Sequence, residues 1–274
     1  MTPDRIAAAF DRARSESRAA FIPYLTAGDP SAEATVAFAK ALDRAGADIL
    51  ELGVPFSDPI ADGPVLQRSA TRALHAGTTL ADVWRIAATI RRETSLALVL
   101  FSYLNPLLRR GLENTARSAK RAGFDAVLVT DLPPEEGKDV AALFRKEGLE
   151  TVFLVSPTSP RSRMARAAQL STGFLYVVTR AGTTGARRDL PADLAKTVAR
   201  ARRSSRGNPR GSLPIAVGFG ISTPAAARLA ATLADGVVVG SALVAVAEEA
   251  GEGAVVAVGR FAGRLVRACR RKPA

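Results

Sequence analysis

A (β/α)8 barrel is the fold class that this sequence predicts, and three observations predict it. Eight short apolar runs, rich in Val, Ile and Leu, are each followed by a stretch with helical spacing. The runs lack apolar–polar alternation, as expected of strands covered on both faces. Eight such units fit the ~250 residues typical of a barrel of this kind, and the chain has 274. A doubly wound open sheet is the alternative, but its usual GxGxxG between the first strand and first helix is absent. No candidate linker interrupts the chain. The expectation is therefore an α/β, single-domain TIM barrel over residues 1–274, with an extra N-terminal helix and an additional helix after the second strand.

In order, residues 4 to 18 place Ile6, Ala9, Phe10 and Ala13 at helical spacing, so an amphipathic helix precedes the barrel, which runs from about 20 to 250. Ala20 to Leu25 is the first strand. Ser31 is an N-cap for a helix that reaches about Ala45 and stops at Gly46. Ile49 to Leu52 is the second strand. Two helices follow, Leu66 to Ala76 and Thr79 to Glu93, the latter with Thr79 and Asp82 as a capping pair. Leu96 to Tyr103 is the third strand, and Asn105-Pro106 turns into a helix over Leu107 to Ala122. Strands are expected at Ala126–Val129, Thr151–Val155, Phe174–Val178, Pro214–Val217 and Gly236–Val239. The helices between them are expected at Glu135–Lys146, Arg161–Leu170, Pro191–Arg203 and Pro224–Leu233. Gly240-Ser241 opens a further helix, and Gly253 to Arg271 closes the chain.

Composition narrows the chemistry. One Cys, Cys269, forms no bridge within the chain, and one Cys with one His builds no metal cluster. That His, His75, sits in Leu74-His75-Ala76-Gly77, which reads as a helix end rather than a catalytic setting. No apolar run reaches membrane-spanning length, and the N-terminus lacks the apolar core of a secretory signal; a cytoplasmic protein is expected. The formal charge is +12, concentrated in Arg200–Arg210 and Arg260–Lys272. Aromatic residues do not interleave with these runs, so solvated surface is favoured over a nucleic-acid site.

The most informative stretch is Asp48 to Gln67. A carboxylate, Glu51, lies inside the apolar run Ile49-Leu50-Glu51-Leu52, where burial is costly unless something requires it. A Pro/Gly/Asp-rich loop then presents Asp62 eleven residues on. In a barrel the active site lies at the C-terminal ends of the strands. That rule gathers Thr26–Gly28, Glu51 with the Asp58–Asp62 loop, Tyr103–Asn105, Asp131, Ser156–Thr158, Thr184-Gly185, Gly218–Gly220 and Gly240-Ser241 around one mouth. Gly218-Phe219-Gly220 and Gly240-Ser241 follow the seventh and eighth strands, where barrels often hold phosphate on backbone N–H groups. The loop Arg180–Ala186 is a candidate lid. These features point to general acid–base work on a phosphorylated small molecule. They leave the substrate and the bond broken open, and a sugar-phosphate isomerase or a non-catalytic ligand-binding subunit stays in view.

The strings FIPYLTAGDP (21–30), ADILELGVPFSDPIADGPVLQRS (47–69), SYLNPLLRRGLE (102–113), DLPPEE (131–136), RAGTTG (180–185), VGFGIS (217–222) and VVVGSALV (237–244) resemble the tryptophan synthase alpha subunit family almost end to end. The resemblance implies a barrel that cleaves indole-3-glycerol phosphate into indole and glyceraldehyde 3-phosphate. It implies Glu51 as general acid–base and Asp62 as the carboxylate on the indole N–H. It implies Tyr176, Phe21, Tyr103 and Phe219 around the substrate, and Gly185, Gly220, Gly240 and Ser241 about the phosphate and ring. Thr184 matches the lid threonine. Phe56, Asp58 and Pro59, with the loop after the third strand, resemble the surface that meets a beta subunit in an α2β2 assembly. That partner, and not this chain, is expected to carry pyridoxal phosphate. Thr130 and Val65 depart from the family pattern, and the Arg-rich segment 204–211 is longer than usual.

Overall fold

The computed structural model describes residues 4–179, 193–218 and 220–271. Its elements in chain order are α1 (Arg5–Ser15), β1 (Ala20–Thr26), α2 (Ala32–Arg44), β2 (Ile49–Gly53), α3 (Pro64–His75), α4 (Leu80–Glu93), β3 (Ala97–Ser102), α5 (Leu104–Leu108), α6 (Leu112–Ala122) and β4 (Ala126–Val129). There follow α7 (Lys138–Lys146), β5 (Glu150–Val155), α8 (Arg161–Leu170), β6 (Phe174–Val178), α9 (Leu194–Ser205), β7 (Ile215–Gly218), α10 (Pro224–Leu233), β8 (Gly236–Val239), α11 (Ser241–Ala250) and α12 (Ala254–Ala268). The strands close in sequence order, all parallel, with β8 returning to β1. The predicted barrel is the observed one.

Local chemistry explains most of the boundaries. The Ser31 hydroxyl accepts from Ala34 N–H at 3.1 Å at the start of α2, and Thr79 with Asp82 forms a reciprocal capping box on α4. One expected helix is two. Gly111 adopts φ 76°, a left-handed conformation that ends α5 and lets α6 start in a new direction. The helix expected from Glu135 begins three residues later, because Glu136 N–H bonds to Pro133 C=O in a turn. The segment 204–211 is not a free basic loop. Helix α9 runs into it as far as Ser205, and the buried Asn208 donates to the carbonyls of Ala168 and Ser171 at 2.6 and 2.9 Å. Arg200 holds the carbonyls of Pro157 and Ser159, Arg202 pairs with Asp235, and Arg210 with Glu150. The segment therefore fastens α9 to α8 and β5. At Thr130 the N–H and hydroxyl both reach Ser102 C=O, at 2.9 and 3.3 Å.

Side chains alternate along each strand, and the core has two shells. Leu50, Leu52, Leu98 and Leu100 point outward to the helices. Ile22, Tyr24, Ile49, Val99, Phe101, Leu128 and Phe174 fill the barrel interior. Helix α1 closes the bottom: Ile6, Ala9, Phe10 and Ala13 belong to the inner cluster, and Phe10 meets Phe174 at 5.7 Å between ring centroids. Among the described residues no helix is long and apolar enough to cross a membrane.

A buried ion cluster fastens that closure. Asp48, fully buried, accepts from both terminal nitrogens of Arg18 at 2.5 and 2.9 Å, from Arg12 at 2.9 Å and from the N–H of Phe21 at 2.8 Å. Replacing Asp48 by Ala removes the buried carboxylate from Arg18 and leaves its guanidinium only the half-exposed Glu16. That change is expected to cost about 3–5 kcal/mol, read as a lower denaturation midpoint in urea; an unchanged midpoint refutes it.

Candidate active site

Strand register sets the first acid. Glu51 is the third residue of β2, with Tyr24 of β1 and Val99 of β3 as its Cα neighbours. Ile49, two residues earlier, fills the interior, so the two-residue period turns Glu51 inward as well. The residue has 0% exposure, and among the described residues neither carboxyl oxygen has a hydrogen-bond partner. Burial without compensation disfavours the charged form and pushes the carboxyl up to about 8. At neutral pH Glu51 is therefore an acid, holding a proton it can give away.

The second acid comes from the loop. Asp62 lies just before α3, and its N–H bonds to Pro59 C=O at 2.9 Å. The Gln67 side-chain amide donates to the Asp62 carbonyl at 2.8 Å. Asp62 is nearly buried, and the Tyr103 hydroxyl donates to its Oδ2 at 3.1 Å. Burial raises this carboxyl to about 6 while the Tyr103 hydrogen bond works against the rise. Asp62 is thus mostly ionised at pH 7. Tyr103 Oη also accepts from Ala61 N–H at 3.0 Å, which holds the tyrosine and the loop together.

A cavity of about 30 Å³ sits above Glu51, and its walls include Tyr24, Tyr176, Gly220, Gly240 and Ser241. Leu66, Phe101, Ile221 and Val238 complete it. Two glycines make room for its tyrosines. A Cβ at Gly53 would meet the Tyr24 hydroxyl at 2.2 Å, and one at Gly218 the Tyr176 hydroxyl at 2.1 Å. Burial raises the phenols of Tyr24 and Tyr176 above their ordinary range. The charges of Asp62 and Glu51 add to the rise at Tyr24.

Glu51, Tyr176, Gly220, Gly240 and Ser241 therefore line one cavity, and Asp62 and Tyr103 both act on Tyr24, which lines it too. Phe21 is a correction. Its side chain lies in the outer shell under the helices, because odd positions of this half of β1 face outward. Tyr24, which the sequence reading passed over, takes the place expected of it. The sequence alone carries no signal for this choice, which is set by the pairing of Tyr24 with Glu51 across β1 and β2. Asp131 is not at the mouth chemistry either; its Oδ1 accepts from Leu104 N–H at 2.7 Å and is spent on starting α5. His75 is the exposed last residue of α3. Thr184, Gly185 and Phe219 lie outside the described residues.

A groove of about 690 Å³ among the described residues is not the mouth. It runs along the outside between the loop after β2 and the start of α5, bounded by Phe56, Asp58, Thr78, Asn105 and Arg109 among others. The mouth is the candidate site because Glu51, a carboxyl raised by burial, opens into its cavity and Asp62 acts on Tyr24, which lines it. Phe56 joins the two regions: its ring lies 5.4 Å from that of Tyr103.

A parallel eight-stranded barrel with one neutral and one ionised acid at the C-terminal ends of its strands defines an acid–base enzyme of the (β/α)8 class. Residues 10–268 match the family described as Tryptophan synthase alpha chain. Similar proteins of that name include one from Opitutus terrae, 48% identical over 240 residues that cover 88% of each chain. Another, from Solibacter usitatus, is 47% identical over 254 residues covering 93% of each. Among solved structures, tryptophan synthase of Mycobacterium tuberculosis superposes with a TM-score of 0.88 at 34% identity, covering 98% of this chain and 99% of that one. The alpha chain from Legionella pneumophila gives 0.87 at 36%, covering 98% of both. The chain belongs to the tryptophan synthase alpha chain family. Its activity is that of the family: a lyase subunit cleaving indole-3-glycerol phosphate in tryptophan biosynthesis.

The buried acid has a consequence for stability. The folded chain keeps the Glu51 proton up to about pH 8, whereas the ordinary value is 4.5. Folding thus takes up a proton between these values, and stability falls as pH rises through that window. Glu51→Gln removes the titration. Its melting temperature relative to the parent is expected to increase from pH 5 to pH 8; a constant difference would show that Glu51 ionises normally.

Proposed function

We propose that Glu51 and Asp62 divide the cleavage chemistry between them, and the one observation that carries this is their different settings: Glu51 is wholly buried with no hydrogen-bond partner among the described residues, and Asp62 accepts from the Tyr103 hydroxyl. Glu51 enters as the acid. It protonates the indole ring carbon that bears the glycerol phosphate chain. The carboxylate so formed takes the proton of the adjacent chain hydroxyl as the carbon–carbon bond breaks. Indole and glyceraldehyde 3-phosphate result, and Glu51 has its proton back. Asp62, ionised and oriented by Tyr103, accepts the indole N–H and stabilises the positive charge that C-protonation puts on the ring. Tyr24 and Tyr176 flank the reacting carbon, and burial keeps both phenols protonated.

Gly220, Gly240 and Ser241 form the rim suited to the phosphate. Gly240 precedes α11, whose first N–H groups are directed toward the mouth end of the helix and favour an anion there. A cavity of about 30 Å³ accommodates a water molecule and not an indole ring. Binding therefore requires the side chains that narrow it to part, and closing again over substrate excludes water from the proton transfers.

The outer groove is the surface proposed for a beta subunit. It holds Phe56 and Asp58, which Pro59 follows in the chain, and Ile60 and Leu108, each within two residues of its lining, stand 76% and 48% exposed. Large exposed apolar side chains next to a concave surface suit a protein partner. Pyridoxal phosphate is assigned to that partner, and an α2β2 assembly is the proposed state.

Indole release from indole-3-glycerol phosphate tests the reading directly. Glu51→Gln, which keeps shape and loses the proton, is expected to lower kcat at least 10²–10⁴-fold with an unchanged circular dichroism spectrum. Asp62→Asn is expected to lower kcat/KM and to remove the acidic limb of its pH profile near 6. Parent-like turnover by either variant overturns the assigned roles.

A further inference from the structure

Four charged side chains outside the cavity form a chain that no step of the chemistry uses. Arg72 of α3 donates to both oxygens of Asp29, at 2.7 and 2.7 Å, in the loop after β1. Its remaining terminal nitrogen donates to Glu248 Oε1 of α11 at 2.7 Å. Arg68, one turn earlier on α3, grips the same carboxylate in a fork at 2.9 and 2.7 Å. Asp29–Arg72–Glu248–Arg68 thus ties three elements that surround the mouth. An isolated exposed ion pair contributes little, whereas forked pairs joined in a network hold geometry.

The placement of the network gives it a use. Helix α3 begins two residues after Asp62, and α11 begins at Ser241 on the proposed phosphate rim. Glu248 is seven residues into α11, and Arg68 and Arg72 are four and eight residues into α3. At 1.5 Å per residue the ties lie roughly 6–12 Å below both helix starts. Two rigid helices joined at matching depth carry a fixed spacing up to their ends. Those ends hold the carboxylate that meets the ring and the amides that meet the phosphate, the two extremities of one substrate.

We propose that Glu248, clasped by Arg68 and Arg72, is a positioning residue that sets the span between the Asp62 carboxylate and the Gly240–Ser241 rim. The inference rests on the phosphate and ring assignments made above. Glu248 touches no substrate. It acts on how well both ends of the ligand are met at once, and a small misplacement of reacting groups has a large effect on rate.

The test compares Glu248→Ala and Arg68→Ala with the parent chain, all full length, in three measurements. These are kcat/KM for indole-3-glycerol phosphate, the affinity for inorganic phosphate as a probe of the rim alone, and the melting temperature. Glu248→Ala is expected to lower kcat/KM about tenfold or more while phosphate affinity stays within about twofold. Arg68→Ala, which removes one arm of the clasp and covers the case in which Glu248→Ala folds poorly, is expected to give a smaller loss of the same kind. The double variant should lose no more than Glu248→Ala, since both act through one contact. A lower melting temperature with unchanged kcat/KM overturns the proposal, because the network is then structural only. Phosphate affinity falling in step with kcat/KM also overturns it, since the loss then lies at the rim and not in the span. Failure of the parent chain itself to release indole would overturn the function proposed for the site, and with it this inference.

Discussion

A carboxyl group buried inside a barrel, with no hydrogen-bond partner among the described residues, is the constraint on which the rest of the structure depends. Burying the ionised form there would be prohibitive, so the group keeps its proton. The surrounding protein supplies what makes this tolerable. Apolar side chains fill the interior below Glu51, helix α1 closes the bottom, and the outer shell of Leu, Val and Ala anchors every strand. The destabilisation is local, and the scaffold that offsets it is the whole barrel. The same dryness that raises the Glu51 pKa gives it a proton to deliver to carbon near neutral pH.

Asp62 shows how a second carboxylate in the same mouth avoids the same fate. It sits on a loop rather than a strand and has the Tyr103 hydroxyl as a donor. Its rise stops at about 6, below neutrality, while Glu51 reaches about 8. Two residues of similar chemistry thus divide into a donor of protons and an anion, by environment alone. Tyr103 also touches Phe56 on the outer groove.

Much of this was legible in the residues. The eight strands and the helices between them follow from short apolar runs and from caps such as Ser31 and Thr79. Glu51 declares itself as an acid in an apolar run, and Asp62 as an acid in a loop too rich in Pro and Gly to be regular. Other features were not legible. Phe21 and Tyr24 belong to the same strand and are both aromatic. Which of them faces the axis depends on register against β2 and β8, and that is decided only when the barrel closes. The Arg-rich segment reads as solvated surface from composition, yet Arg200, Arg202 and Arg210 each have fixed partners far away in sequence. Gly218 reads as an anion-binding glycine, while in space its missing side chain also makes way for the Tyr176 hydroxyl.

The sequence by itself determined the order of elements, the parallel barrel and the two acids at its mouth, because periodicity, capping and the cost of burying charge are local properties of the chain. Tertiary structure decided the rest: which aromatic rings line the cavity, that burial raises the Glu51 carboxyl, and that Arg68, Arg72 and Glu248 join helices about 180 residues apart in sequence. Those outcomes depend on distances between segments that meet only on folding, and no local pattern encodes them.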